Sequence, residues 1–199
     1  MSGAFPLTPA PNAIKIQSLQ PTRVSVAHSL RRSTRTTGAQ RWLVTADWTG
    51  LTRPQFAPVQ AFVIAQRGQW DSFTMLLPGH KQPQGTATGT PLVNGSSQAG
   101  RTLATRGWTT NVPGILKAGD FIGITGQSKV YMVTADANSD GSGNSVLAIE
   151  PALMSAPADG AVLVVRNVPF TLALAGDTTE MAVQPPVLYN FSLPLVEAF

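Results

Sequence analysis

Short apolar segments separated by turn-forming residues are the feature that most restricts how this chain can fold. In the C-terminal half, segments 121–124, 130–135, 146–150 and 161–165 follow one another with a turn roughly every ten residues, a spacing typical of a small barrel or sandwich. The content of 18 Gly and 16 Pro favours short strands over a helical bundle. The sequence therefore predicts a mainly β fold with a minor α component (α+β): an antiparallel β-sandwich or split barrel with one helix, plus an inserted small β-barrel.

Composition divides the chain into three parts. Residues 1–13 are rich in Pro and Ala without periodicity, which predicts an extended N-terminal arm that lies against a neighbouring copy or stays mobile. A boundary is indicated near residue 85, where turn formers replace apolar residues, and the alternating C-terminal tail is expected to return to the first sheet. We therefore predict a β domain with one helix from 14–85 together with 166–199, and an inserted small β-barrel from 86–165.

One helix is predicted after the first strands. The segment from Thr52 to Gln55 has the form of a capping box, and the apolar residues that follow it recur at helical spacing. Pro58 is unfavourable inside a helix, so we expect regular helix from about Ala57 and a stop at Gly68. The apolar residues on this face are Phe56, Val59, Phe62 and Val63.

Basic and acidic residues are separated along the chain. The net charge is +4, and residues 1–101 carry ten Lys or Arg against two Asp, whereas residues 102–199 carry four against eight carboxylates. A basic half is compatible with nucleic-acid binding. A basic half matched by an acidic half also suits copies of one protein that dock heterologously. The second interpretation is favoured because the basic residues include no clustered Lys and little aromatic interleaving.

Three arginines lie among hydroxyl side chains between Ser29 and Thr37. Arg31, Arg32 and Arg35 are suited to a transient, sequence-independent contact with phosphates, because guanidinium and hydroxyl groups both bind phosphate oxygens. The alternative is a solvated hairpin tip, or a patch that pairs with acidic residues of the next copy. These arginines are the candidate interface or phosphate contacts.

Several kinds of site are not indicated. The absence of Cys excludes disulfides, thiolate metal sites and thiol nucleophiles. His28 and His80 have no partner at metal-binding spacing, and no hydrolase, metalloprotease or phosphate-loop motif is present. We therefore expect no catalytic, cofactor-binding or metal-binding residues, no cofactor and no enzymatic activity. Neither a signal peptide nor a membrane anchor is expected from the apolar pattern.

The segment from Asp136 to Gly141 matches the first half of a calcium loop. Its twelfth position is Leu147, where a bidentate acid is required. We therefore interpret the segment as a polar hairpin tip in which Asn, Asp and Gly supply positive φ angles. The tryptophans are expected to be core or interface anchors rather than a sugar-binding platform: Trp42, Trp48, Trp70 and Trp108.

Three stretches carry a resemblance to a known class of proteins. In 62–73 the predicted helix ends at an Arg67-Gly68 pair and an aromatic-bearing strand follows, which resembles a segment of distal-tail-type tail and baseplate hub proteins. The stretch 116–153 is similar to phage structural proteins from tail gene clusters, and 189–197 is similar to the final sheet strand of such chains. The extra module departs from the pattern, because it lies inside the chain rather than at its C-terminus.

The resemblance implies a structural protein of the phage virion, made in the bacterial host cytoplasm. Its copies are expected to close into a ring, six-fold if it follows the hub proteins, that joins the tail tube or nozzle to fibre or tip proteins around a DNA channel. Two alternatives remain: a host-glycan-binding adhesin module, and a head-to-tail connector or capsid accessory protein.

Overall fold

A computed structural model of the chain describes residues 3–6, 8–184 and 188–199, which form antiparallel sheets and one α-helix. The strands, in chain order, are β1 (Ala13–Leu19), β2 (Thr22–Val26), β3 (Arg32–Thr36), β4 (Arg41–Leu51), β5 (Ser72–Leu76), β6 (Gly89–Val93), β7 (Thr102–Trp108), β8 (Phe121–Ile124), β9 (Val130–Val133), β10 (Ser145–Glu150), β11 (Leu163–Val164), β12 (Pro169–Leu174), β13 (Ala182–Gln184) and β14 (Leu188–Glu197). The helix α1 spans Arg53–Ala65, and a 3-10 turn follows at Gly68–Trp70. The predicted mainly β fold is confirmed.

The first sheet joins the two ends of the chain. Its strand order is β1-β4-β14-β12-β5, and β13 adds to β14. Alternate residues of β4 point inward because successive side chains of a strand face opposite sides. The same alternation buries Phe191, Leu193 and Leu195 of β14. The C-terminal tail thus returns to the sheet of the first half, as its period-two pattern predicts.

Helix α1 begins at Arg53, so the expected start near Ala57 is wrong. Proline is tolerated in the first turn because its missing N–H would have no intrahelical partner there, and Pro54 takes that place. The Gln55 side chain accepts the N–H of Thr52 at 2.9 Å, which completes the predicted capping box. The helix buries Phe56, Val59 and Val63. It ends one residue earlier than the predicted stop implies, because Arg67 already adopts a left-handed φ of 58°.

The second sheet forms a nearly closed barrel. Its strand order is β11-β8-β9-β10-β7-β6, and a bridge between Leu92 and Val162 brings its two edges together. The N–H of Val93 also donates to the carbonyl of Ala161 at 2.9 Å. Its core is formed by side chains that include Leu103, Ile115, Ile122, Tyr131, Leu147 and Ile149.

The described part of the predicted N-terminal arm packs against its own chain. Phe5 is buried, and its ring centroid lies 5.7 Å from that of Trp48 and 5.2 Å from that of Phe62. Its N–H donates to the carbonyl of Thr74 at 2.8 Å, and the indole N–H of Trp48 donates to the carbonyl of Pro9 at 3.0 Å. The segment is extended, and Phe5 belongs to the first core rather than to a free arm.

Candidate functional site

An exposed hairpin, defined here as residues 20–39, carries the three arginines singled out from the sequence. Within the part of the chain that the structure describes, its strands β2 and β3 pair only with each other, and every residue in both strands is exposed. A two-stranded hairpin without a packed face is at best marginally stable alone in water. This hairpin therefore depends on its connection to the rest of the molecule, since neither of its faces is packed.

The arginines lie along the hairpin rather than only at its tip. Arg31 ends the turn, and its carbonyl accepts the N–H of Ala27 at 3.0 Å. Arg32 and Arg35 lie on β3, where Arg35 is directly opposite Arg23 of β2. Like charges in facing positions destabilise a strand pair. Among the described residues none of these four arginines forms a salt bridge.

Sequence reasoning missed Arg23 as a member of this group. The signal was available in principle, because a turn near Ser29 pairs positions at equal distances on either side of it. Val24 and Val26 lie on the opposite face from Arg23, and Val26 is 58% exposed. The hairpin therefore presents Arg23 and Arg35 on one face, and Val24, Val26 and Arg32, which lies opposite Val26, on the other.

The base of the hairpin is tied to the rest of the molecule. The side-chain amide of Gln20 donates to Glu150 Oε1 of the barrel at 3.3 Å, and the Thr37 hydroxyl donates to the carbonyl of Pro21 at 3.2 Å. Gln40, just beyond the hairpin, donates to the Ser18 hydroxyl at 3.0 Å. These contacts orient the hairpin as a continuation of the β1–β4 strand pair.

A buried ion pair joins the two sheets beside this base. The ammonium of Lys129 donates to Glu197 Oε2 and to the Gln40 side-chain oxygen, the latter at 2.7 Å. The Glu197 carboxylate also accepts the N–H groups of Trp42 at 3.2 Å and of Val130 at 3.0 Å. Burial lowers the pKa of Lys129, and the Glu197 carboxylate opposes part of that shift. The pair therefore holds β4 and β14 of the first sheet against β9 of the second.

Nothing in the sequence analysis identified this pair. The available signal is that Glu197 continues the inward-facing series of Leu193 and Leu195 at period two. A charged residue at a buried position requires a partner, which is Lys129. The indole N–H of Trp42 reinforces the junction by donating to the carbonyl of Val130 at 2.9 Å.

A second carboxylate secures the entry into the barrel. Asp120 is buried and accepts the N–H groups of Gln84 at 2.7 Å, Gly85 at 3.2 Å and Lys117 at 2.8 Å. These three N–H donors satisfy the carboxylate, so Asp120 has a structural role: it joins the segment at 84–85 to the turn at Lys117. His80 lies nearby, with its ring centroid 5.2 Å from that of Phe121.

The calcium-loop-like segment connects β9 to its antiparallel partner β10, as predicted for a hairpin tip, and it also packs against another loop. The predicted positive φ occurs at Gly143 and not at Asp136, Asn138, Asp140 or Gly141. Asp136 accepts the N–H of Ala118 at 3.0 Å, and Asn138 accepts that of Gly114 at 2.7 Å. Asp140 accepts the N–H groups of Ser142 and Asn144, each at 2.8 Å, and these bonds lower its pKa. The side-chain oxygens thus point to separate backbone donors. Within the described ranges, no group of three or more His, Asp or Glu is placed to hold a metal ion.

The tryptophans divide into two kinds. Trp42, Trp48 and Trp108 are buried, whereas Trp70 is 84% exposed. The three buried tryptophans are therefore core anchors, as predicted, whereas Trp70 is not part of either core. His28 lies in the exposed turn of the hairpin. No described helix is long and apolar enough to cross a membrane.

Comparison with known proteins adds one finding. Residues 80–168, which include all six strands of the barrel, match the family model described as distal tail protein pb9, B domain. No curated protein matches the chain.

Proposed function

We propose that the chain is a phage tail structural protein whose copies close into a non-enzymatic ring in the virion tail, because residues 80–168 match a domain family of phage distal tail proteins. The ring is six-fold and surrounds the DNA channel. It connects the tail tube or nozzle to fibre or tip proteins. The subunits are made in the host cytoplasm before they assemble.

The exposed hairpin carries this proposal. Every residue of β2 and β3 is exposed to solvent, including the apolar Val24 and Val26, so the hairpin has no core of its own. Exposed apolar groups together with unpaired charges are typical of a surface that becomes buried on assembly. In a homo-oligomer, the simplest partner that could bury the hairpin is a neighbouring copy of the same chain.

The two sheets have different roles in this assembly. Residues 14–85 with 166–199 form the ring, since they carry the hairpin, while the barrel at 86–165 points outward or along the axis toward other tail proteins. The Lys129–Glu197 pair keeps the barrel in one orientation relative to the ring. Arg31, Arg32 and Arg35 serve as interface contacts, and any DNA contact is transient and sequence-independent.

The test is the mass and negative-stain symmetry of the purified protein at several concentrations. The matched variant replaces residues 21–38 by Asn-Gly, which closes the β1–β4 pair with a short turn. We expect closed rings with a central hole for the wild type. The variant should be monomeric, with an unchanged far-UV circular dichroism signature for the remaining sheets. A wild type that stays monomeric at millimolar concentration, or a variant that still forms rings, contradicts the proposal.

Trp70 favours a second candidate function, binding of a host glycan. Trp70 is 84% exposed, and an exposed indole offers a face on which a sugar ring stacks. This function requires affinity for a glycan that Trp70→Ala abolishes. Glycan-array binding by the wild type and its loss in that variant would establish it, whereas the ring function requires no such binding.

A further inference from the structure

A groove lies on the first sheet, away from the hairpin. It has a volume of about 800 Å³ and is bounded by β4, β14 and the loop before β13. The lining residues that matter here are Asp47, Glu180, Met181, Asn190 and Ser192. We call it the acidic groove.

The acidic groove carries negative charge and apolar surface together. Asp47 and Glu180 line it, no Lys, Arg or His does, and neither carboxylate has a salt bridge among the described residues. Met181 in its wall is 45% exposed, and the neighbouring Val183 is 56% exposed. The acidic groove is therefore complementary to a surface that carries both cationic and apolar side chains.

The exposed hairpin is such a surface. Arg23 and Arg35 lie side by side on one face of it, and Val24 and Val26 lie on the other face together with Arg32. The repulsion between the facing arginines is relieved when carboxylates approach them from another molecule. The hairpin carries no acidic residue that would supply this relief from within.

The positions of the two surfaces fit a head-to-tail contact between copies. The hairpin continues from the Arg41 end of β4, whereas the groove is lined by residues 47–49 of the same strand. Thr49 is eight steps along the strand from Arg41, a distance of about 27 Å at the usual rise. Two different surfaces at separate places on one subunit form a heterologous interface, the kind that closes a ring.

We propose that the exposed hairpin of each copy docks in the acidic groove of the next copy, where Arg23 and Arg35 pair with Asp47 and Glu180. This inference rests on the proposed ring and names the two surfaces that form it. DNA could also bind the arginines through its phosphates, but it would not cover the apolar side chains of Val24 and Val26.

The experiment reverses the charges on each side in the full-length protein. One variant is R23E/R35E, the other is D47K/E180K, and the third combines all four substitutions in one chain. We expect each two-site variant to associate about a hundredfold more weakly than the wild type, because like charges then meet at the interface. We expect the four-site variant, and a 1:1 mixture of the two-site variants, to form rings again. Analytical ultracentrifugation and negative-stain imaging measure both.

The control variant K81E/K117E changes the net charge by the same amount as R23E/R35E, at two exposed positions outside the hairpin and groove. It should form rings like the wild type, and circular dichroism should show that all variants are folded. Loss of rings in the two-site variants with recovery on combination supports the docking.

Other outcomes overturn the docking and separate it from the ring itself. Wild-type rings that persist in both two-site variants, or that are lost without recovery in the combined variant, leave the ring standing and refute the docking. If R23E/R35E still forms rings but no longer binds random-sequence duplex DNA, the arginines are DNA contacts. A wild type that is monomeric at every concentration refutes both the ring and the docking.

Discussion

Replacing Lys129 by Met removes the positive half of the buried pair and leaves the Glu197 carboxylate in the protein interior. The Glu197 side chain is 0% exposed and that of Lys129 is 2% exposed, so water does not compensate for the loss. The carboxylate keeps only the N–H groups of Trp42 and Val130. Removing one partner of a buried ion pair costs about 3–5 kcal/mol of unfolding free energy.

The same substitution in a Glu197→Gln background should cost far less. Neither side chain is then charged, and the Gln oxygen can still accept one of the two N–H groups. We expect the double variant K129M/E197Q to be more stable than the sum of the single losses by at least about 2 kcal/mol.

Urea unfolding followed by tryptophan fluorescence measures these differences, since Trp42 lies at the junction. Lys129→Arg is the matched control that keeps the charge. Single variants that lose less than about 1 kcal/mol, or a double variant whose loss equals the sum, would show that this pair does not hold the two sheets together.

Three further perturbations test other contacts. Asp140→Asn should lower stability by an amount that is constant between neutral pH and about pH 5 and that shrinks as the pH falls below 3.8. The reason is that the folded-state pKa of Asp140 is lowered from 3.8, so the stabilisation that its carboxylate provides is lost on protonation. A stability difference in chemical denaturation that does not change with pH would contradict this. Asp120→Ala should cost about 3 kcal/mol, since three N–H donors lose their acceptor, and hydrogen exchange of the Gln84 amide should rise well above that of a core amide of the first sheet. Phe5→Ala should cost about 3–5 kcal/mol in a thermal or urea melt, whereas a loss below about 1 kcal/mol would mean that the N-terminal segment is not part of the core.

The local patterns of the sequence were sufficient for the type and approximate place of most elements. Alternation at period two predicted that the C-terminal tail, which contains Leu193, forms a strand, and the capping box predicted the helix. The helix start was misjudged because Pro58 was given too much weight against the capping signal at Thr52. These patterns work because the face that a residue occupies depends only on its neighbours along the chain.

The candidate site was predicted in part. Arg31, Arg32 and Arg35 were identified, but Arg23 was not, because its position opposite Arg35 depends on strand register. The segment from Asp136 forms the predicted connection between β9 and β10, but its contacts were not predicted. Asp136 accepts the N–H of Ala118, 18 positions away, and Asn138 accepts that of Gly114, 24 positions away.

By itself the sequence determined the fold class, the turns, the helix and the separation of basic from acidic residues, since each of these is a property of local composition or spacing. Only the tertiary structure decided that Glu197 meets Lys129 across 68 positions, that Phe5 enters the first core, and that no described residue covers the hairpin. The physical reason is that contacts between residues distant in sequence depend on strand pairing and packing across the whole molecule. Many such contacts form together, so no single segment of sequence determines them.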